Sequence, residues 1–142
     1  MTRELGGFCV LLLLITVVPT VALADDVGGS ETILCTSIQA TVCFMDEDCE
    51  IGTPWNWNIP QFIEIDFAKK VLRTTKASGE NRQTPFKNLE REAGMIFLQG
   101  VERGRAFSFA IEEETGLASI AVARNGITVS VFGACTPLPS AK

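Results

Sequence analysis

Between Arg105 and Cys135 the chain runs through three alternating stretches, RAFSFAIE, LASIAVAR and ITVSVFGAC, and the punctuation between them fixes how they pair. Asn125-Gly126 suits a two-residue type I′ hairpin turn. That turn opposes Val122 to Val129 and Ile120 to Val131. The earlier connection, Glu113 to Gly116, reads as a four-residue loop that opposes Ala118 to Ile111, Ile120 to Phe109 and Val122 to Phe107. The two turns are read independently, yet they agree on one inward face. Phe107, Phe109, Ile111, Ile120, Val122, Val129 and Val131 share it. Ser108, Ala110, Ser119, Ala121, Thr128, Ser130 and Phe132 share the other. A slip of one residue in either turn mixes the faces, so this stretch is expected to be a three-strand meander with one buried side.

The pattern extends upstream. MIFLQG is expected to be a strand that turns through GVERG into RAFSFAIE, and FIEIDF and KVLRTT a pair turning around Ala68-Lys69. TPFKNLEREAG allows two readings. Thr84 could cap a helix with Pro85 at its first position and Gly94 at its stop, or PFKNLE could pair with MIFLQG around REAG. With strands on both sides, the hairpin is preferred. The expected fold is all-β: a single small antiparallel sheet or meander, closed or half-closed into a barrel and tied by disulfides.

The cysteines fit that fold. An apolar stretch from about Leu5 to Val18 follows Arg3, Pro19 breaks it, and ALA precedes Asp25. It is shorter than the roughly 20 residues that a spanning helix needs and reads as a signal peptide over residues 1–24. Cys9 is removed with it. The exported part then holds Cys35, Cys43, Cys49 and Cys135, an even set expected to be oxidised. If residues 33–43 form one strand, Cys35 and Cys43 lie ~26 Å apart, too far for a bond. The favoured pairing is Cys43–Cys49 across a short loop and Cys35–Cys135 between the first and last strands. Residues 25–34 are expected to be a polar N-terminal segment, 35–136 the β domain and 137–142 a tail.

Without Arg3 and Glu4, eleven basic residues face sixteen acidic ones, and the bases are scattered. Nucleic acid is not an expected partner, and no stable membrane anchor remains after signal cleavage. The acids of CFMDEDCE, Asp46, Glu47 and Asp48, invite a calcium reading. Adjacent acids in a tight loop do not converge as that ion requires, and a solvated turn tip is preferred. The cysteine spacing is not that of a zinc site, so neither metal nor cofactor is expected. In TPWNWNIP, Trp55, Trp57 and Ile59 alternate with Asn56 and Asn58 as on an edge strand bounded by Pro54 and Pro60. The tryptophans either stack on a ligand or cap the open end of the core, and the second is preferred. Phe132 marks a groove or a covered spot on the other face.

The chain contains no histidine and no tyrosine, which removes the commonest general base and the phenolic acid. The carboxylates that remain for paired chemistry, Glu64 with Asp66 and Glu112 to Glu114, fall on strand faces and in a turn, where they are expected to be solvated. No catalytic residues are expected and the chain is read as non-enzymatic.

The stretch LQGVERGRAFSFAIEEETG, with FGAC further on, resembles a group of small exported proteins of Gram-negative bacteria. They share a pattern L-Q-G-x-E-x-G-R-x-x-S, an isoleucine, a T-G turn and a closing F-G-x-C. The resemblance covers residues 62–135 and implies a β-rich exported domain, periplasmic or extracellular. It brings no activity, cofactor or partner. Arg105 and Ser108 belong to the pattern and are read as a strand-end charge and a small cross-strand hydroxyl. The expected function is therefore noncovalent: a protein-binding or inhibitor module presenting Asp46, Glu47 and Asp48 to an unknown basic protein. The alternatives are a small-ligand carrier using the barrel mouth with Trp55 and Trp57, or a structural protein of the envelope.

Overall fold

The computed structural model describes residues 26–78 and 81–139, which form one sheet of ten antiparallel strands. The expected signal segment, its cleavage point before Asp25 and residues 140–142 lie outside the described residues. The strands are β1 (Thr32–Phe44), β2 (Glu50–Gly52), β3 (Phe62–Asp66), β4 (Val71–Thr74) and β5 (Gln83–Pro85), then β6 (Asn88–Glu92), β7 (Met95–Glu102), β8 (Arg105–Glu112), β9 (Leu117–Arg124) and β10 (Ile127–Pro137). Their order across the sheet is β5-β4-β3-β1-β10-β9-β8-β7-β6, with β2 beside the second half of β1.

The sheet curls into a half-barrel whose two edges are joined by two residues. β5 ends at Pro85 and β6 begins at Asn88. Between them, Phe86 donates its N–H to the Lys70 carbonyl at 3.1 Å, and Lys87 donates to the Gln99 carbonyl at 2.9 Å. Phe86 is buried beneath this bridge.

The C-terminal meander has the register read from its turns. Ile111 opposes Ala118, Phe109 opposes Ile120 and Phe107 opposes Val122. Val122 in turn opposes Val129, and Ile120 opposes Val131. The 84–94 stretch holds two short strands and a turn rather than a helix. Thr84 and Pro85 belong to β5, and β6 and β7 form a hairpin around Ala93 and Gly94, both at positive φ. The β3–β4 hairpin also forms, with Lys70 at positive φ in its turn.

β1 carries the fold's main irregularity. Its inward residues are Ile33, Cys35 and Ser37, then Ala40 and Val42, so the period-2 phase changes between Ser37 and Gln39. The inserted residue, Ile38, points to solvent. The bulge lets one long strand keep a single buried face across a bend of the sheet. It also brings backbone close to backbone. A Cβ at Gly133, which pairs with Ser37, would lie 2.4 Å from the Thr36 carbonyl oxygen.

Both disulfides form as paired on the sequence, Cys35–Cys135 and Cys43–Cys49. The first joins cross-strand partners of β1 and β10. Packed structure begins ahead of Cys35, because Thr32 opens β1 and Val27 is fully buried, its N–H bonded to the Glu113 carbonyl at 2.8 Å. At the other end, β10 runs through Pro137, and Leu138 donates to the Thr32 carbonyl.

Inward residues are not buried equally along the strands. Ile33, Ile65, Ile96, Leu98 and Ile111 are fully buried, and Val27, Phe67 and Phe86 belong to the same cluster. Arg91 lies over the Phe67 ring and pairs with Glu113. Along β8, β9 and β10 burial then decays in the opposite direction. Phe109, Ile120 and Val131 are buried, whereas Phe107, Val122, Val129 and Ile127 are only partly so. The half-barrel is packed shut at one end and hollow at the other.

Candidate functional site

The hollow end is a cavity of about 810 Å³, within the range of roughly 300–1,000 Å³ common for small-molecule sites. Its wall is built by strand alternation, which sends Val42, Phe109, Ile120, Val122, Val129 and Val131 inward from four strands. Gly100 contributes by absence. A Cβ there would lie 2.4 Å from the Phe107 ring, so the ring of the cross-strand partner lies over the bare glycine.

The segment between β2 and β3 lines the mouth. Its alternating pattern predicts an edge strand, but Pro54–Trp57 forms a 3-10 turn instead. Thr53 is extended and Pro54, with its fixed φ, starts the turn. Asn58 closes it in the left-handed region, a conformation asparagine tolerates better than most residues. Asn58 donates to the Trp55 carbonyl at 3.2 Å and Ile59 to the Pro54 carbonyl at 3.1 Å. The buried Ser37 hydroxyl then donates to the Pro60 carbonyl at 2.9 Å and fastens the segment to β1. The turn separates the two tryptophans. Trp57 packs against the core and lies over Gly52, while Trp55 is 68% exposed at the rim.

Polar groups collect at this end. Among the described residues the charged ones lining the cavity are Arg82, Arg105, Arg124 and Glu102, and Thr74 and Thr84 add hydroxyls. Arg105 and Glu102 form an ion pair at 3.7 Å across the β7–β8 turn. The Arg82 N–H donates to the Thr74 hydroxyl at 3.0 Å.

The acidic loop stands beside the mouth without lining it. Asp46, Glu47 and Asp48 are exposed, Asp46 has positive φ, and the Cys43–Cys49 bond closes the loop. Met45 donates to the Gly126 carbonyl at 2.8 Å, which docks the loop on the β9–β10 turn. Among the described residues no group of three acidic or cysteine side chains is placed to hold a metal ion.

Glu64 and Asp66 differ from the solvated carboxylates expected at their positions. They lie on the outer face, away from the cavity, and share one guanidinium. Arg73 bonds Glu64 at 2.7 Å and Asp66 at 3.2 Å. Asp66 is buried and also accepts the Lys69 N–H at 2.9 Å. Burial pushes its carboxyl up, but the Lys69 N–H and the Lys69 and Arg73 side chains together hold it below its ordinary value of 3.8. The Glu64 carboxylate raises the Arg73 guanidinium against the opposing effect of burial. This cluster staples β3 to β4. Phe132, outward on β10, is 54% exposed beside the bulge.

No protein-family model, curated protein or solved structure matches the chain.

Of the residues singled out on the sequence, Trp55 and Trp57 line the cavity, and Asp46, Glu47 and Asp48 lie outside it. The arginines of the rim are not apparent from composition, because charge at a strand end ordinarily faces water. The signal that finds them is parity. Arg105 falls on the inward phase of Phe107 and Phe109, and Arg124 on that of Ile120 and Val122.

Proposed function

We propose that this domain is a noncovalent carrier for a small, largely apolar ligand held in the hollow end of the half-barrel. The observation that supports this reading is the cavity itself: about 810 Å³ with aliphatic and aromatic walls, shut at one end and rimmed by Trp55 and Trp57 at the other. Burying an apolar ligand there gains about 25 cal/mol for each Å² removed from water. The two disulfides are compatible with an oxidising compartment. Among the described residues no helix is long and apolar enough to cross a membrane. The compartment we propose is the periplasm or the extracellular medium, and we propose no covalent step.

The test is titration with phenylnaphthylamine, a neutral dye that brightens in apolar surroundings, while tryptophan emission is followed. Saturable binding with one ligand per chain, weakened in Trp57→Ala, supports the carrier. A dye that stays dark, with unchanged tryptophan emission, overturns it.

A second reading is favoured by one feature of the clamped loop. Met45 and Ile51 are 72% and 69% exposed in and beside the loop, large apolar side chains that a partner would cover, while the three carboxylates would select a basic one. Under that reading, reversing the charges of Asp46, Glu47 and Asp48 abolishes capture of a basic protein and leaves dye binding intact.

A further inference from the structure

We infer that the ligand of this cavity is an amphiphile with an apolar body and one anionic head group, the head held at the rim by Arg105 and Arg124. The inference rests on the carrier reading above and adds the chemical class of the ligand.

Charge at the mouth runs against charge in the chain. The whole sequence carries net −5, yet among the described residues the β7–β9 side of the cavity is lined by two arginines, Arg105 and Arg124, and one glutamate, Glu102. Placement in the sheet makes the imbalance local. Ala106 opposes Ala123 in the β8–β9 ladder, and Arg105 and Arg124 are the next residue outward on each strand. Both have the inward phase of Phe107 and Val122, and both line the cavity. Two like charges at opposing positions of neighbouring strands repel. Glu102 offsets one of them through its 3.7 Å pair with Arg105. A bound anion would relieve the remainder, and guanidinium groups suit a carboxylate, sulfonate or phosphate because their planar N–H fork matches paired oxygens. The carboxylates of residues 46–48 lie at this end but outside the lining, so they do not fill the position of the head group.

Along β8 the wall turns apolar below the rim. From Arg105 to the buried Phe109 is four residues, ~14 Å along the strand, and Ile111 beyond it is fully packed. That depth accommodates a short single chain or a fused-ring body below a head group at the mouth.

Two dyes with nearly the same apolar body test the inference, neutral phenylnaphthylamine and its sulfonated counterpart anilinonaphthalene sulfonate. They are titrated into the oxidised wild type, Arg105→Gln, Arg124→Gln and the double variant, with thermal melts to confirm folding. Wild type is expected to prefer the anion, and each single variant to reduce the ratio of the two affinities about tenfold, as loss of one charged hydrogen bond does. Decanoate is expected to displace the sulfonate, and decanol to do so less well. Equal affinity for both dyes, with a ratio that the variants leave unchanged, overturns the head-group inference while the carrier reading stands. Failure of both dyes to bind overturns the two together.

Discussion

Gly133 and Gly100 both sit where a side chain has no room, but the obstacles differ. The missing Cβ at Gly133 faces the Thr36 carbonyl, a backbone atom fixed by the β1 bulge, whereas that at Gly100 faces the ring of Phe107, which can swing into the hollow. Gly133→Ala is therefore expected to cost about 2 kcal/mol or more and Gly100→Ala clearly less, in line with ordinary overpacking costs. Urea denaturation of both variants measures the difference, and the reverse order would show that the bulge yields more easily than the ring. Asp66 gives a prediction of a different kind. Its folded pKa is depressed, so its contribution is complete above the unfolded value of 3.8 and is lost as pH falls through the lower folded value. Asp66→Asn is expected to cost roughly 1–3 kcal/mol at neutral pH, as loss of charge-assisted bonds does. The gap between variant and wild type should close below about pH 4. A gap that stays constant down to pH 2 would place the loss in packing instead of charge.

The two disulfides act on very different loops. Cys35–Cys135 closes a separation of 100 residues and Cys43–Cys49 one of 6. In the chain-entropy account the long loop stabilises by about 4.7 kcal/mol and the short one by about 2.4 kcal/mol. Cys35→Ser with Cys135→Ser is thus expected to lower the urea midpoint more than Cys43→Ser with Cys49→Ser. Equal losses would mean that the β1–β10 ladder already persists in the unfolded chain. Both pairings were legible because one strand cannot bring Cys35 to Cys43, and of the two pairings left the one with a short local Cys43–Cys49 loop was the simpler. The meander was legible because Asn125-Gly126 and the Glu113–Gly116 loop fix the register from two sides. The Trp55–Trp57 stretch was not legible. Its period of two is that of a strand, and Pro54 with a left-handed Asn58 overrides it locally. The bulge at Ile38 leaves only a phase change from Ser37 to Ala40, a weak mark on a thirteen-residue strand. The cavity was the least visible feature, since its lining comes from strands far apart in sequence and its depth depends on how tightly the sheet curls.

That curl yields a contrast between the two ends of one barrel. At the closed end Ile96 has no exposed surface, and its cross-strand partner Ile111 and the cluster members Ile33 and Ile65 are equally buried, so a larger side chain has no open space to enter. At the open end Val129 points inward but is only half-buried and lines the hollow. The same enlargement should therefore have opposite consequences. Ile96→Phe overpacks and is expected to destabilise by roughly 1–3 kcal/mol. Val129→Phe places its ring in the cavity and is expected to leave stability within about 1 kcal/mol of wild type, because dispersion attraction between the ring and the wall offsets any strain. The ring also takes up space that a ligand would need, so phenylnaphthylamine affinity should fall in Val129→Phe although the protein is no less folded. Thermal melts and dye titration on the two variants read both effects. If Val129→Phe proves as costly as Ile96→Phe, the open end is as tightly packed in solution as the closed one. A Val129→Phe variant that is stable and still binds the dye as wild type does would move the site out of the barrel, to the outer face of the sheet.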